Sequence, residues 1–414
     1  MNQKKQIVIL GGGFAGVYSA RSILKYAKES VEITIINKTN YFLFTPMLHE
    51  VATGGLGHHQ VVESIREIIY KTNVHFLEAT IFSVDVEKKE VITDHGNKPY
   101  DMLVLALGAT TNFFNTPGAE KYCMTLKNLS DAIAIRSHVV ERFESASREK
   151  DPEVRKKMLT FVVVGGGATG VELATELAEL TKYTLNKYYR NVFSKDCAKI
   201  VLVHSGKELL GPFPEKVRSY AEKILAKDGI KLMMNTKVVD VGEGYVALGS
   251  GERIEANTII WTAGVRANTV HTTGGEFPKD ESGRIVADAT LVVPGFSGVF
   301  ALGDMACVPG EDGKPYPMLA QIAVAEADLL GKNIHNALAG EELESFAFRN
   351  KGLLVSLGRW QAAGTVFGVY VYGKLAWFIW RTVYLFKFIS NSKKFKIALD
   401  WTIHLFTSRD VTRT

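Results

Sequence analysis

The sequence predicts an α/β protein made of two copies of one parallel-sheet unit, one inserted in the other, followed by a C-terminal region of amphipathic helices. Three observations predict it. An apolar, β-branched run, Gln6-Ile7-Val8-Ile9-Leu10, leads into Gly11-Gly12-Gly13-Phe14-Ala15-Gly16 and a helix-compatible stretch from Val17 to Tyr26. The same order returns 154 residues later, as Phe161-Val162-Val163-Val164, then Gly165-Gly166-Gly167-Ala168-Thr169-Gly170, then a helix from Val171. From Gly373 onward the chain turns basic and aromatic.

Strand, Gly-x-Gly-x-x-Gly and helix in that order suit the pyrophosphate of a dinucleotide. Gly11 permits the tight turn, Gly13 lets the backbone approach the phosphates, and Gly16 lets helix and strand pack closely. The helix N-terminus then offers free N–H groups and partial positive charge to the anion. One such loop is weak evidence, because glycine-rich turns are common. Two, each after a strand and before a helix, predict two Rossmann-like dinucleotide-binding domains and two dinucleotides in one chain.

The elements follow in order. Glu32 to Ile36 is the second strand of the first unit. The position at its end that usually carries Asp or Glu, for the ribose hydroxyls, falls on Asn37-Lys38, so the charged acceptor is missing. Tyr41 to Leu56 reads as a loop around Pro46, Gly54 and Gly55, and Asn73 to Ile92 as short strands. Met102 to Leu107 is a buried-strand pattern ending at Gly108. The polar stretch Arg142 to Lys157 reads as a solvated helix and linker, where a domain boundary is expected. In the second unit, Ile200 to Val203 is the second strand, and Thr258 to Thr262 a later one ending at Ala263-Gly264. Gly298-Val299-Phe300-Ala301-Leu302-Gly303-Asp304 is a strand ending in a carboxylate that could accept hydrogen bonds from a polyol.

Composition excludes several classes. With 414 residues there is room for two or three domains, and 46% hydrophobic with 22% charged residues is ordinary for a globular protein. Cys123, Cys197 and Cys307 are far apart and form no Cys-x-x-Cys. This argues against a disulfide framework, a zinc cluster or a dithiol centre, and fits a reducing compartment. The ten histidines show no ligand spacing, and His58-His59 reads as a loop pair, so no metal is expected. The N-terminal lysines and apolar run lead into the glycine loop rather than a cleavage site, so they read as a strand and not a signal peptide. No run of 18 apolar residues offers a transmembrane helix.

Net charge is +5, but Gly373 to Thr414 carries eight Lys or Arg against two Asp, hence +6, which leaves the first 372 residues at −1. The basic character belongs to the tail and points to a membrane surface, not to nucleic acid. Gly373 to Ile389 sets Lys374 and Arg381 seven residues apart, nearly on one face, among Trp377, Trp380, Tyr384 and Phe388. Phe395 to Phe406 puts Lys396, Asp400 and His404 on one stripe, with Ile397, Leu399, Trp401, Leu405 and Phe406 elsewhere. Basic residues interleaved with Trp and Phe at helical spacing suit binding in the headgroup plane. A dimer interface or a core-packing helix is the competing reading.

The paired loops, Leu103-Val104-Leu105-Ala106-Leu107-Gly108, Ile259-Ile260-Trp261-Thr262-Ala263-Gly264 and Gly303-Asp304 resemble two-dinucleotide-binding-domain flavoproteins. Tyr41-Phe42-Leu43-Phe44-Thr45-Pro46-Met47-Leu48, Val51-Ala52-Thr53-Gly54, Ala320-Gln321-Ile322-Ala323 and the basic aromatic tail narrow the resemblance. Within that superfamily the chain is similar to the type II NADH:quinone oxidoreductases, single-subunit and non-pumping respiratory-chain dehydrogenases.

The resemblance implies an FAD-binding domain over 1–112 and 285–340, an NAD(P)H-binding domain over 113–284, and a membrane-anchoring region over 341–414. It implies FAD at Gly11, Gly12, Gly13, Phe14, Ala15 and Gly16, with Asn37 and Lys38 by the ribose and Ile81 near the adenine. Ala106 belongs to the same set, Asp304 takes the ribityl hydroxyls, and Ala320 and Gln321 lie beside the isoalloxazine at the quinone end. Lys374, at the head of the tail, is counted with the cofactor-contacting residues. NADH would meet Gly165, Gly166, Gly167, Gly170, His204, Ala263 and Gly264. The partners implied are a quinone, lipid at the cytoplasmic face of the cell membrane, and a second copy of the chain.

Glu172 and Gln321 are the expected catalytic residues. Glu172 reads as lying in the first turn of the second loop helix, where the helix dipole alone favours an acid. The family places a Glu here between nicotinamide and flavin, as a carboxamide orienter or part of a proton route. Two departures stand out. A second Gln common in the family is Ala325 here, leaving Gln321 alone or with Glu326. Where a Glu commonly selects NADH over NADPH, the chain has His204-Ser205-Gly206-Lys207, which predicts relaxed or NADPH-leaning specificity. A reductase of a soluble carrier and a non-catalytic, nucleotide-sensing membrane flavoprotein are the competing functions.

Overall fold

The computed structural model describes residues 4–28, 30–190, 198–404, 409 and 411. Cys197, Leu405 and Phe406 lie outside the described residues, as does the side chain of His404. The chain forms two compact units: residues 1–43, 62–110 and 265–349 make the first, and residues 44–61, 111–264 and 350–414 the second.

The first unit is built on a five-stranded parallel sheet in the order Val299–Ala301, Met102–Leu105, Lys5–Leu10, Val31–Asn37, Val74–Glu78. The strand that feeds the first glycine loop is central. Ile7, Ile9, Ile33, Ile35, Leu103 and Val104 are fully buried, as expected of strands covered on both faces. The loop helix Phe14–Ala27 packs lengthwise on the helix Ala320–Ala339. Gly331 lies so close to Ser22 that a β-carbon would collide with it, and the Ser22 hydroxyl donates to the Asp328 carbonyl at 3.0 Å. A four-stranded sheet of His271–Thr273, Ile81–Asp85, Glu90–Thr93 and Gly96–Pro99 completes this unit's larger elements.

The second unit repeats the plan. Its parallel sheet runs Met124–Thr125, Thr258–Trp261, Thr160–Val164, Lys199–Val203, Lys231–Met233, with the loop strand again central. Val162, Val201, Ile259 and Trp261 join one core with Val238, Val246 and Ile254 of an antiparallel sheet beside it. The C-terminal part is a three-stranded meander, Gly352–Ser356, Ala362–Val366 and Val369–Tyr372, followed by the helices Gly373–Lys387 and Asn391–His404. No described helix is long and apolar enough to cross a membrane.

Three sequence expectations need correction. Arg142 to Lys157 is no linker: it comprises the end of the helix Leu129–Arg148 and most of the helix Pro152–Met158, both inside the second unit. Ala132, Ile135, Val139 and Phe143 anchor the longer helix in the core. Within the supposed loop Tyr41 to Leu56, Leu48–Ala52 forms a short buried helix. Finally, the tail aromatics are not all exposed, as binding in a headgroup plane would have them. Trp377, Trp380, Phe388, Ile397 and Trp401 are buried in protein, and Phe388 stacks on Phe44 with ring centroids 4.2 Å apart. Arg381 is likewise turned inward, 3.8 Å from the Glu50 carboxylate.

Candidate active site

In the first unit, Gly11 has φ +114°, and a β-carbon there would strike the Ala106 carbonyl, so only glycine serves. Gly16 presses equally closely on Gly11. Gly13, by contrast, faces open space, with nothing within 4 Å of where its β-carbon would be. It is also the N-cap of a helix that has no side-chain cap, the kind of helix start that suits an anion. Asn37 holds the loop: its Oδ1 accepts the Gly12 N–H at 3.0 Å, and its Nδ2 donates to the Thr39 carbonyl at 2.8 Å. Asn37 is thus committed to loop geometry, while Lys38 is exposed. The Ala79 N–H donates to the Asn37 carbonyl at 3.0 Å, which places Ile81 two residues beyond that end of the sheet.

Asp304 sits in the 3-10 turn Gly303–Met305. A β-carbon on Gly303 would lie 2.9 Å from the Ala15 side chain and 3.6 Å from that of Ala323, so this turn is seated between the starts of two helices. Glu326 fixes it. Its Oε2 accepts the Gly303 N–H at 2.7 Å, and burial pushes its pKa up to about 7 despite that bond. Ala320 and Gln321 open their helix, and the buried Nε2 of Gln321 makes no hydrogen bond. A buried donor without a partner is costly in isolation and points to a ligand acceptor. Glycine loop, Asp304 turn and Gln321 are therefore gathered in one unit, and they fit FAD: an open cradle, a carboxylate and an unfilled amide donor.

In the second unit the loop is built alike. Gly165 has φ +119° and would meet Ala263, and Gly170 packs on Gly165 and Thr262. Gly264, at φ +92°, lies against the Phe114 ring. Gly167 is the uncapped, open N-cap of the helix Ala168–Glu179. His204 takes the place of Asn37, accepting the Gly166 N–H on Nδ1 at 3.1 Å.

Glu172 lies beyond the first turn, which contains no acid, so the dipole argument does not account for it. It is buried, with Oε1 accepting the Ser356 N–H at 3.1 Å and Oε2 3.6 Å from His49 Nδ1. Burial, reinforced by Glu176 and Glu50, pushes its pKa up to about 8, while burial pulls His49 down to about 4. At neutral pH the pair is an uncharged acid beside an uncharged imidazole, and Glu172 can donate a proton.

The sequence reading missed what surrounds Glu172: His49, Glu50, Glu176, Glu179, and the inward roles of Arg381 and Arg409. One signal was present. Glu172, Glu176 and Glu179 recur at i, i+4 and i+7 within Val171-Glu172-Leu173-Ala174-Thr175-Glu176-Leu177-Ala178-Glu179, apolar at every other position but Thr175, a spacing that puts all three on one helical face. Lys374 is exposed at the start of its helix.

Residues 5–327 match the family model of the pyridine nucleotide-disulphide oxidoreductases, and residues 351–410 that of the NDH2 C-terminal domain. A type II NADH:quinone oxidoreductase of Mycobacterium tuberculosis is 32% identical, across 98% of this chain and 89% of that protein. One of Staphylococcus epidermidis is 30% identical, across 92% and 94%. Among solved structures, NDH2 from Plasmodium falciparum in complex with NADH superposes with a TM-score of 0.92 at 22% identity, covering 99% of this chain and all of that one. The sulfide:quinone oxidoreductase of Aquifex aeolicus gives 0.75 at 16% identity, covering 97% and 95%. At these identities the structural matches establish the fold.

Proposed function

This chain belongs to the type II NADH:quinone oxidoreductase family, and from that premise we infer how its own residues divide the work of oxidising NADH and reducing a quinone. The observation that carries the reading is the pair of loops built alike, each with an open N-cap glycine and an uncapped helix, in a chain that also carries the NDH2 C-terminal domain.

FAD, when bound, would supply the hydride acceptor for the nicotinamide and the two-electron donor for the quinone. Gly11 to Gly16 hold its pyrophosphate, Asp304 accepts from its polyol, and the Gln321 amide supplies a donor at the quinone end. Residues 1–112 and 285–340 serve FAD, 113–284 serve the nicotinamide nucleotide, and 341–414 attach the protein to a membrane. Gly165 to Gly170 cradle the second pyrophosphate, with Ala263 and Gly264 closing the loop from behind. Glu172, protonated at neutral pH, orients the carboxamide or delivers a proton. His204, Ser205 and Lys207 tolerate a 2′-phosphate, so NADPH is accepted as well as NADH.

The attachment is peripheral. Leu375, Phe378, Phe386, Phe395, Leu399 and Ile403 of the two tail helices are exposed in a basic region, which supports binding in the headgroup plane, and the cytoplasmic face of the cell membrane is the expected side. A homodimer is the expected assembly.

Stopped-flow absorbance tests the reading. NADH should bleach the bound flavin, and a short-chain quinone should restore it rapidly. Bleaching without reoxidation by quinone would favour a reductase of a soluble carrier, and no bleaching a nucleotide sensor.

A further inference from the structure

The face of the second loop helix that carries Glu172, Glu176 and Glu179 looks onto the short helix Leu48–Ala52. Four carboxyls are gathered here, those of Glu50, Glu172, Glu176 and Glu179, and the guanidinium groups that reach them among the described residues are those of Arg381 and Arg409. Both come from the C-terminal region. Arg381 faces Glu50, whose other oxygen accepts the Trp401 indole N–H at 3.2 Å. Arg409 is 2.6 Å from Glu176 and 2.9 Å from Glu179, and it also donates to the Thr53 hydroxyl at 2.9 Å and to the Thr53 carbonyl at 3.3 Å.

Leaving two excess negative charges in the interior is far costlier than protonating two of the acids. Placement of the cations therefore decides which acids ionise. Glu176 has the shortest pairing. Glu172 has none: it meets the Ser356 N–H, the uncharged His49, and Tyr384 of the helix Gly373–Lys387.

We propose that Arg409 is a positioning residue for the nicotinamide side of the site: it pairs with Glu176, and the charge it holds there, one helical turn from Glu172, reinforces the burial that keeps a proton on Glu172. The directions of titration agree. Burial pushes Glu176 up, but Arg409, with His49 and Arg381, holds the carboxyl below its ordinary range, and Glu176 in turn adds to the burial that raises Glu172. Without Arg409, Glu176 takes up a proton and its repulsion of Glu172 disappears. A residue near the C-terminus thus sets the protonation of an acid on the glycine-loop helix. The inference rests on the reading that Glu172 serves the nicotinamide side.

The test is an infrared titration of the full-length, FAD-loaded protein without NADH or quinone. The protonated-carboxyl band of Glu172 is identified by its loss in Glu172→Gln. Arg409→Gln should move its midpoint to lower pH by about one unit, and Glu176→Gln should do the same. The double variant should shift no further than Glu176→Gln alone, because Arg409 acts through Glu176. Arg409→Lys, which keeps the charge, should restore most of the parental midpoint. An unchanged or raised midpoint in Arg409→Gln, or additive shifts in the double variant, would overturn the proposal. Should Arg409→Gln fail to fold, Glu176→Gln decides by the same criterion. Unchanged NADH oxidation in Glu172→Gln would instead remove the catalytic reading and leave the titration result standing.

Discussion

His204 Nδ1 accepts the Gly166 backbone N–H at 3.1 Å. The other ring nitrogen lies 3.1 Å from the Glu208 carbonyl, so the ring is the Nε2–H tautomer with both nitrogens committed to the loop. Asn37 stands in the same relation to Gly12. In both units a neutral acceptor occupies the strand end where a carboxylate is usual, and in both it organises the loop. A glutamate at 204 could accept the same N–H and would repel a 2′-phosphate as well. His204→Glu should therefore raise the ratio of kcat/KM for NADH to that for NADPH by about tenfold, roughly 1.4 kcal/mol. His204→Ala, which leaves the Gly166 N–H without its acceptor, should raise KM for both. A parental enzyme already strongly selective for NADH would sink the tolerance argument.

Glu326 makes a comparable prediction for the first unit. Its 2.7 Å bond to the Gly303 N–H fixes the turn that presents Asp304. Glu326→Gln retains an acceptor and should keep FAD bound, whereas Glu326→Ala should weaken FAD by about tenfold or more. Flavin fluorescence on dilution separates the two. Equal retention in both variants would mean that the turn is set by other contacts.

The glycine loops were legible in sequence because their geometry depends on glycine itself, at Gly11 and Gly165 through positive φ and at Gly16 and Gly170 through close approach. Asp304 stood out because it ends a clear strand, whereas Gln321 was singled out by the family resemblance alone. The Glu172 cluster was not, since its partners come from 49–53, 356, 381 and 409, and no local pattern encodes such pairing. The short helix Leu48–Ala52 was hidden by Pro46 and the glycines that flank it. In the tail, helical spacing of aromatics is the same whether they face lipid or protein, which is why Trp380 and Trp401 were misplaced.

Stability should depend on pH with a definite sign. Glu172 is raised to about 8 and Glu326 to about 7 by burial, so each binds more protons folded than unfolded once pH exceeds the ordinary carboxyl range. Their stabilisation is complete in acid and is lost as pH rises toward those values. His49, lowered to about 4, acts oppositely, gaining between pH 4 and 6.5. Above 6.5 the carboxyls alone remain, so stability should fall between pH 6.5 and 8, by at most about 1.4 kcal/mol per pH unit for each group. Denaturant titrations at several pH values check this. Glu172→Gln should flatten the slope, and an unaltered slope would assign it elsewhere.

The tail helices carry a buried set and an exposed set of apolar side chains. Trp380 is fully buried and Phe388 nearly so, stacked on Phe44, and Trp380→Ala should cost about 3 to 5 kcal/mol of stability. Leu375, Phe378, Phe386 and Phe395 are exposed and contribute little to that core. Replacing Phe378, Phe386 and Phe395 together by Ser should leave the melting temperature and the flavin content near parental. The same triple variant should lose most sedimentation with vesicles containing anionic lipid, because apolar area entering the headgroup region drives such binding alongside Lys and Arg. Raised salt should release the parent only in part if the aromatics enter the bilayer, and fully if charge alone holds it. A triple variant that still sediments like the parent would place the adhesive surface elsewhere than on these helices.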